Sequence, residues 1–92
     1  MQMSAELSLY PLASEVDSTV LEFIRELLSS NEVSAVTNSM STQVTGPSDA
    51  VFNAVQQALE KSYERFGRQV LVAKFIPEHR MEITAPDRKS VV

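Results

Sequence analysis

Six successive segments of this chain repeat their apolar residues with a period of about two, 3.6, two, two, 3.6 and two, and that succession limits the fold more than any short motif does. The first runs from Ser4 to Leu12, where Ala5, Leu7 and Leu9 point to one side and Glu6, Ser8 and Tyr10 to the other, the pattern of a half-buried strand. Pro11 ends it, having no N–H to give to a ladder. Val16, Val20, Phe23, Ile24, Leu27 and Leu28 then form one helical stripe, with Ser14 as the candidate N-cap and Ser29-Ser30-Asn31 as the stop. Val33–Thr37 and Met40–Gly46 read as two strands joined at Asn38-Ser39. Gly46-Pro47-Ser48-Asp49 breaks the pattern, and Ser48 or Asp49 is placed to cap a second helix. Its stripe of Val51, Phe52, Val55, Leu59, Tyr63 and Phe66 stops at Gly67, the usual C′ residue. In the last strand, Arg68–Ile76, both faces are largely apolar, which predicts a place in the sheet interior or against a partner subunit.

Strand-helix-strand repeated twice is the α+β, ferredoxin-like βαββαβ plan, a four-stranded antiparallel sheet with two helices on one face. Residues 1–77 make that domain. Residues 78–92 form a C-terminal tail that is either an added edge strand or disordered. Ninety-two residues, 43% of them hydrophobic, provide one modest core, so assembly into a homo-oligomer is an expected further source of stability.

Composition removes several classes of function. Eight basic against twelve acidic residues give a net charge of −4, the wrong sign for holding a nucleic-acid backbone. A sheet that reads RNA needs exposed aromatics in basic surroundings, and this chain offers Tyr10 and Phe75 at most. With no cysteine there is no thiolate metal site, and nucleophilic catalysis is poorly supported, since the single histidine, His79, lies in the tail with no obvious partner to orient it as a base. Gly46 and Gly67 are the only glycines, too few for a phosphate-cradling loop. The loop after the first strand, Pro11-Leu12-Ala13-Ser14, lacks the Arg that the small phosphate hydrolases of this fold require, and the copper carriers of the fold use a Cys pair. No apolar run reaches the roughly 18 residues of a membrane span, and Met1-Gln2-Met3-Ser4 carries no secretory signal pattern. The expected setting is the cytoplasm. A protein without enzymatic activity and without a metal or cofactor remains.

What the chain does offer is a polar set at sheet level. Glu6, Ser8 and Tyr10 lie on the first strand and Asn38, Ser39, Ser41 and Gln43 around the start of the third, and these two strands are central neighbours in the βαββαβ plan. A pyrimidine-like ring needs donors and acceptors in a plane and a surface to stack on. Glu6 or Asn38 supplies the former, Tyr10 or Met40 the latter. The alternative is a solvated polar face that meets another subunit, making the chain a structural or interaction protein that forms a homo-oligomer without a dedicated ligand.

Two pieces, Ser4-Ala5-Glu6-Leu7-Ser8-Leu9-Tyr10-Pro11-Leu12 and Met40-Ser41-Thr42-Gln43-Val44-Thr45-Gly46, followed by Val51-Phe52 and the strand Val70-Leu71-Val72-Ala73-Lys74-Phe75, resemble the YkoF-like thiamine and hydroxymethylpyrimidine-binding family, which includes single-domain thiamine-binding proteins. The resemblance spans residues 4–76. It implies a ferredoxin-like domain, assembly into dimers or tetramers, and non-enzymatic binding of thiamine or its hydroxymethylpyrimidine half. Carried onto this chain, it marks Ser8, Tyr10, Pro11, Met40, Ser41 and Thr42 as pocket residues. Glu6 and Asn38 join them on chemistry alone, while Ala5, Leu7, Leu9 and Val44 belong to the core.

Overall fold

In the computed structural model, which describes residues 1–12, 15–38 and 41–80, the elements follow in the order β1 (Gln2–Pro11), α1 (Val16–Leu28), β2 (Ser34–Thr37), β3 (Thr42–Pro47), α2 (Ser48–Phe66) and β4 (Gln69–Pro77). The strands form one antiparallel sheet in the order β2-β3-β1-β4, with both helices on one face: the ferredoxin-like layout. β1 is thus paired on both sides, Ala5 opposite Val44 of β3 and Phe75 of β4. Residues 3, 5 and 7 of β1 turn inward, and Met3, Ala5 and Leu7 form the core with Phe23, Leu27, Val44, Val51, Ala54 and Ala58. No helix among the described residues is long and apolar enough to cross a membrane.

The core face of α1 is narrower than its apolar stripe. Thr19, Phe23 and Leu27 are its buried residues, at i, i+4 and i+8, whereas Val16 and Leu28 are about half exposed. A hydroxyl is tolerated at Thr19 because its Oγ1 donates to the Glu15 carbonyl one turn earlier. Ser14, the candidate cap, lies outside the described residues, and Glu15 occupies the N-cap position without a side-chain cap bond.

At α2 the expected cap is corrected. Pro47 is the N-cap and no side chain caps the helix, because β3 passes into α2 without a linker. The Ser48 N–H is taken by the Met1 carbonyl (2.7 Å) in continuation of the β1–β3 ladder, and Asp49 Oδ1 accepts from the adjacent Ala50 N–H (3.0 Å). Gly67 does end the helix, at φ 84°, in the left-handed region that glycine enters without steric cost.

The fourth strand, expected in the sheet interior or against a partner subunit, is not interior: among the described residues it pairs with β1 alone and forms an edge. Its two apolar faces have different fates. Leu71, Ala73 and Phe75 pack beneath the helices, with Phe75 stacked on Phe52 at 4.5 Å between ring centroids. Val70, Val72 and Ile76 point to the other side of the sheet and stay 45–46% exposed.

Candidate functional site

The site follows from a mismatch in strand length. The β1–β3 ladder stops at the pair Leu7–Thr42, while β1 continues through Ser8, Leu9, Tyr10 and Pro11, paired among the described residues only to β4. A notch therefore opens in the sheet beside the second half of β1. Its far wall is the β2–β3 connection, closed by Asn38 and Ser41: the Asn38 N–H donates to the Ser41 carbonyl, and the Ser41 N–H donates to Asn38 Oδ1, both at 3.0 Å. The connection is thus longer than an Asn-Ser turn, and β3 begins at Thr42 rather than Met40.

Over the notch lies α1. Val20, Phe23 and Ile24 meet Leu7, Leu9, Thr37 and Thr42, enclosing with Ser8, Tyr10, Asn38 and Ser41 a cleft of about 200 Å³. One wall is apolar. The other carries hydroxyls, among them Thr37 and Thr42, whose Oγ1 atoms share a 2.7 Å hydrogen bond. Main-chain groups add to this wall. The Leu12 N–H donates to the Arg68 carbonyl and the Glu78 N–H to the Gln2 carbonyl, so even-numbered β1 residues bond toward β4. By the alternation of an antiparallel ladder, Leu9 turns its N–H and C=O toward the notch, beyond the end of β3.

Five of the residues expected at a site, Ser8, Tyr10, Asn38, Ser41 and Thr42, line this one cleft. Pro11 is the last residue of β1 and does not line it, and Met40 lies outside the described residues. Glu6 sits on the sheet face away from the helices, opposite Gln43 and Lys74. There its Oε2 accepts from Ser41 Oγ (3.0 Å), Ser41 Oγ accepts from Gln43 Nε2 (3.2 Å), and Lys74 Nζ lies 3.7 Å from its Oε1. Glu6 therefore reaches the cleft through Ser41, as a group that holds the β2–β3 connection in place. The exposed Lys74 pair adds about 1 kcal/mol at most.

Val20, Phe23 and Ile24 belong to the helical stripe, and its spacing gives no sign that they border a cleft. Periodicity marks which residues face the sheet, but it carries no information on whether the sheet beneath is complete. Leu9, expected in the core, is only partly buried, because it borders the notch. Among the described residues no three metal-ligating side chains come together, and no Lys, Arg or His lines the cleft.

Solved structures with this architecture come from distant organisms. A hypothetical protein of Methanocaldococcus jannascii superposes with a TM-score of 0.76 at 25% identity, over 90% of this chain and 87% of its own. A Streptococcus pneumoniae protein gives 0.74 at 19% identity, over 99% and 93%. A proposed thiamine biosynthesis/salvage protein of Thermotoga maritima gives 0.72 at 13% identity, over 82% of each chain. At these identities the last two speak for the fold alone. No curated protein sequence matches the chain. The family model for thiamine-binding proteins, however, matches residues 5–89, which takes in β1 with its notch, the β2–β3 connection, both helices and most of the segment after β4, and the chain belongs to that family.

Proposed function

We propose that this protein is a non-enzymatic binding protein for thiamine or its hydroxymethylpyrimidine half, and that the pyrimidine ring enters the cleft beneath α1. The observation that carries this reading is the pairing of an apolar wall, Val20, Phe23 and Ile24, with a wall of hydroxyls and strand-edge main chain in one cleft of about 200 Å³. That is smaller than the roughly 300–1,000 Å³ of pockets that enclose a drug-sized ligand, and it suits a single ring with any further group left at the mouth. An aminopyrimidine presents a donor and an acceptor on one edge. The Leu9 N–H and C=O, with Thr42 and Ser41 hydroxyls nearby, form a matching edge. Tyr10, 56% exposed, stands at the mouth.

Calorimetric titration of the protein with hydroxymethylpyrimidine, thiamine and thiamine diphosphate tests the reading. The first two are expected to bind and the diphosphate to bind more weakly, because no basic side chain among the described residues lines the cleft and the first turn of α1 carries Asp17. Tyr10→Ala should cost about 1 kcal/mol of affinity if the ring contacts the ligand. Glu6→Gln should act through Ser41, changing affinity for all three ligands alike. No heat with any of them would refute the reading, and tighter binding of the diphosphate would refute its account of the cleft's charge.

The same proposal includes a homo-oligomer, built on the edge of β4 that no strand among the described residues pairs with. By the alternation derived above, Leu71, Ala73 and Phe75 direct their N–H groups away from β1, along an edge whose only described charge between Gln69 and Pro77 is Lys74. Such an edge is a template for pairing. Sedimentation equilibrium at micromolar concentration is expected to give a multiple of 10.2 kDa. Val72→Asp should dissociate the assembly without unfolding the domain, since Val72 is 45% exposed and like charges facing each other across paired strands repel. A wild-type protein that sediments only as the monomer would refute this.

A further inference from the structure

Two rows of residues run along α2. Val51, Ala54, Val55 and Ala58 form the row that is buried in the core. The second row, Phe52, Gln56, Leu59, Tyr63 and Phe66, repeats at spacings of four, three, four and three, the spacing of a helix that meets another helix along a seam. Its partner is not α1. Lys61 and Arg65, on the opposite flank of α2, reach α1 at Glu26 (2.9 Å) and Glu22 (3.6 Å), so the second row lies along the flank above β4, where Phe52 stacks on Phe75. The row carries no charge, yet Phe52 is 49% and Tyr63 59% exposed. At its far end Leu59, Tyr63 and Gln69, the first residue of β4, line a groove of about 450 Å³ with Glu60 and Glu64 at its rim. A half-exposed ring thus stands at one end of the row and an open groove at the other.

A surface of that kind complements its own copy turned about a two-fold axis, and the strand below supplies the axis. Leu71, Ala73 and Phe75 turn their N–H groups outward, as derived above. An antiparallel pair of β4 strands centred on Val72 therefore sets Leu71 opposite the partner's Ala73 in a hydrogen-bonded pair, and Val72 opposite the partner's Val72 in the closer, non-bonded kind of pair. Lys74 then faces the partner's Val70, so like charges do not meet across the join. Val72 is midway between Phe75, which lies under Phe52, and Gln69, which lies beside Tyr63. The same axis consequently exchanges the two ends of the row on α2. With strands about 4.8 Å apart and a helix about 10 Å across, joining the two edges brings the uncharged flank of α2 against that of its copy.

We propose, resting on the β4-edge oligomer stated above, that the partner is a second copy of this chain in a two-fold dimer with two layers of contact. In the sheet β4 pairs with the partner's β4 about Val72. Above it α2 runs antiparallel to the partner's α2, and Phe52 of each copy enters the groove beside the partner's Tyr63. The charges of the helix agree with this arrangement: Lys61 and Arg65 are held by α1, and Glu60 and Glu64 are exposed at the rim, where an interface keeps its polar groups in water.

The chain has no cysteine, and Gln56 and Gln57 are both exposed. Gln56 is in the row near the axis, whereas Gln57 is turned about 100° round the helix from it. Under mild oxidation the full-length Gln56→Cys protein is expected to form a covalent dimer and Gln57→Cys to stay uncrosslinked. Absence of the Gln56→Cys dimer, or equal crosslinking at both positions, overturns the proposal. Tyr63→Glu, at an exposed helical position, should keep the circular dichroism of the wild type and raise the dissociation constant measured by sedimentation equilibrium at least about tenfold. An unchanged constant overturns the helix layer. A wild-type chain that sediments only as the monomer removes the β4 oligomer and this dimer together. A wild-type oligomer that Val72→Asp dissociates, while Gln56→Cys does not crosslink and Tyr63→Glu has no effect, keeps the strand pairing and overturns the inference made here, including the case in which another part of the same chain covers the row.

Discussion

Replacing Phe23 by Ala is expected to lower the stability of the domain by about 3 kcal/mol, at the lower end of the range for deleting a buried aromatic ring, and to abolish ligand binding. Phe23 is 3% exposed and belongs both to the core, with Leu7, Leu27 and Val44, and to the apolar wall of the cleft. Truncation removes its buried contacts and joins the void to the cleft, where water can enter, which is why the loss falls short of that for a sealed cavity. A chain of this size has a total stability on the order of 5–14 kcal/mol. The loss is therefore large, and at about 4–8 °C per kcal/mol it lowers Tm by more than roughly 10 °C. Thermal unfolding followed by circular dichroism measures the first effect and titration below the new Tm the second. A shift under about 4 °C would show that Phe23 is not a core residue, whatever the titration gives.

Gly46→Ala is expected to destabilise the domain by about 1–3 kcal/mol, although alanine is ordinarily the better residue. A methyl group there would lie 2.8 Å from the Glu32 carbonyl oxygen, 3.1 Å from Val33 Cγ1 and 3.3 Å from Val33 Cα. Two of these three are main-chain atoms of the segment that leads into β2, so relief requires moving the strand and not merely a side chain. The gain from a less flexible unfolded chain, about 0.4–1 kcal/mol, is smaller than that cost. Chemical denaturation should show a lower midpoint with an unchanged slope, and an unchanged or raised midpoint would contradict the close approach of the two segments. Gly67 is the opposite case: open space surrounds it, and its need for glycine comes from its positive φ alone.

These two glycines show where local pattern stops being informative. Both stand at element boundaries in the sequence, and both read as breaks. Gly67 is a helix terminator, which the preceding stripe announces. Gly46 is inside β3, opposite Met3, and is demanded by a neighbour thirteen residues earlier in the chain. The pocket residues divide in the same way. Ser8, Tyr10, Asn38, Ser41 and Thr42 could be placed together because β1 and β3 are neighbours in any βαββαβ sheet. Glu6, two residues before Ser8 on the same polar side of β1, follows the same logic, yet its carboxylate is engaged by Ser41 on the far face.

What the amino-acid sequence determined by itself is the element order and, along β1, the side of the strand that is buried, because side-chain periods of 2 and 3.6 are properties of the local backbone. Ala5, Leu7 and Val44 were legible as core for that reason. Three things were decided only by tertiary structure. The position of β4 at the edge depends on strand order, which its doubly apolar pattern leaves open. The cleft depends on β3 beginning only at Thr42 while the antiparallel β1 runs on past it to Pro11, a difference between two strands that neither strand's alternation contains. The burial of Ser4 and Thr45 depends on the chain turning at Glu78 and crossing back over β1, a long-range contact that strand periodicity, which reports only neighbours along one strand, does not encode.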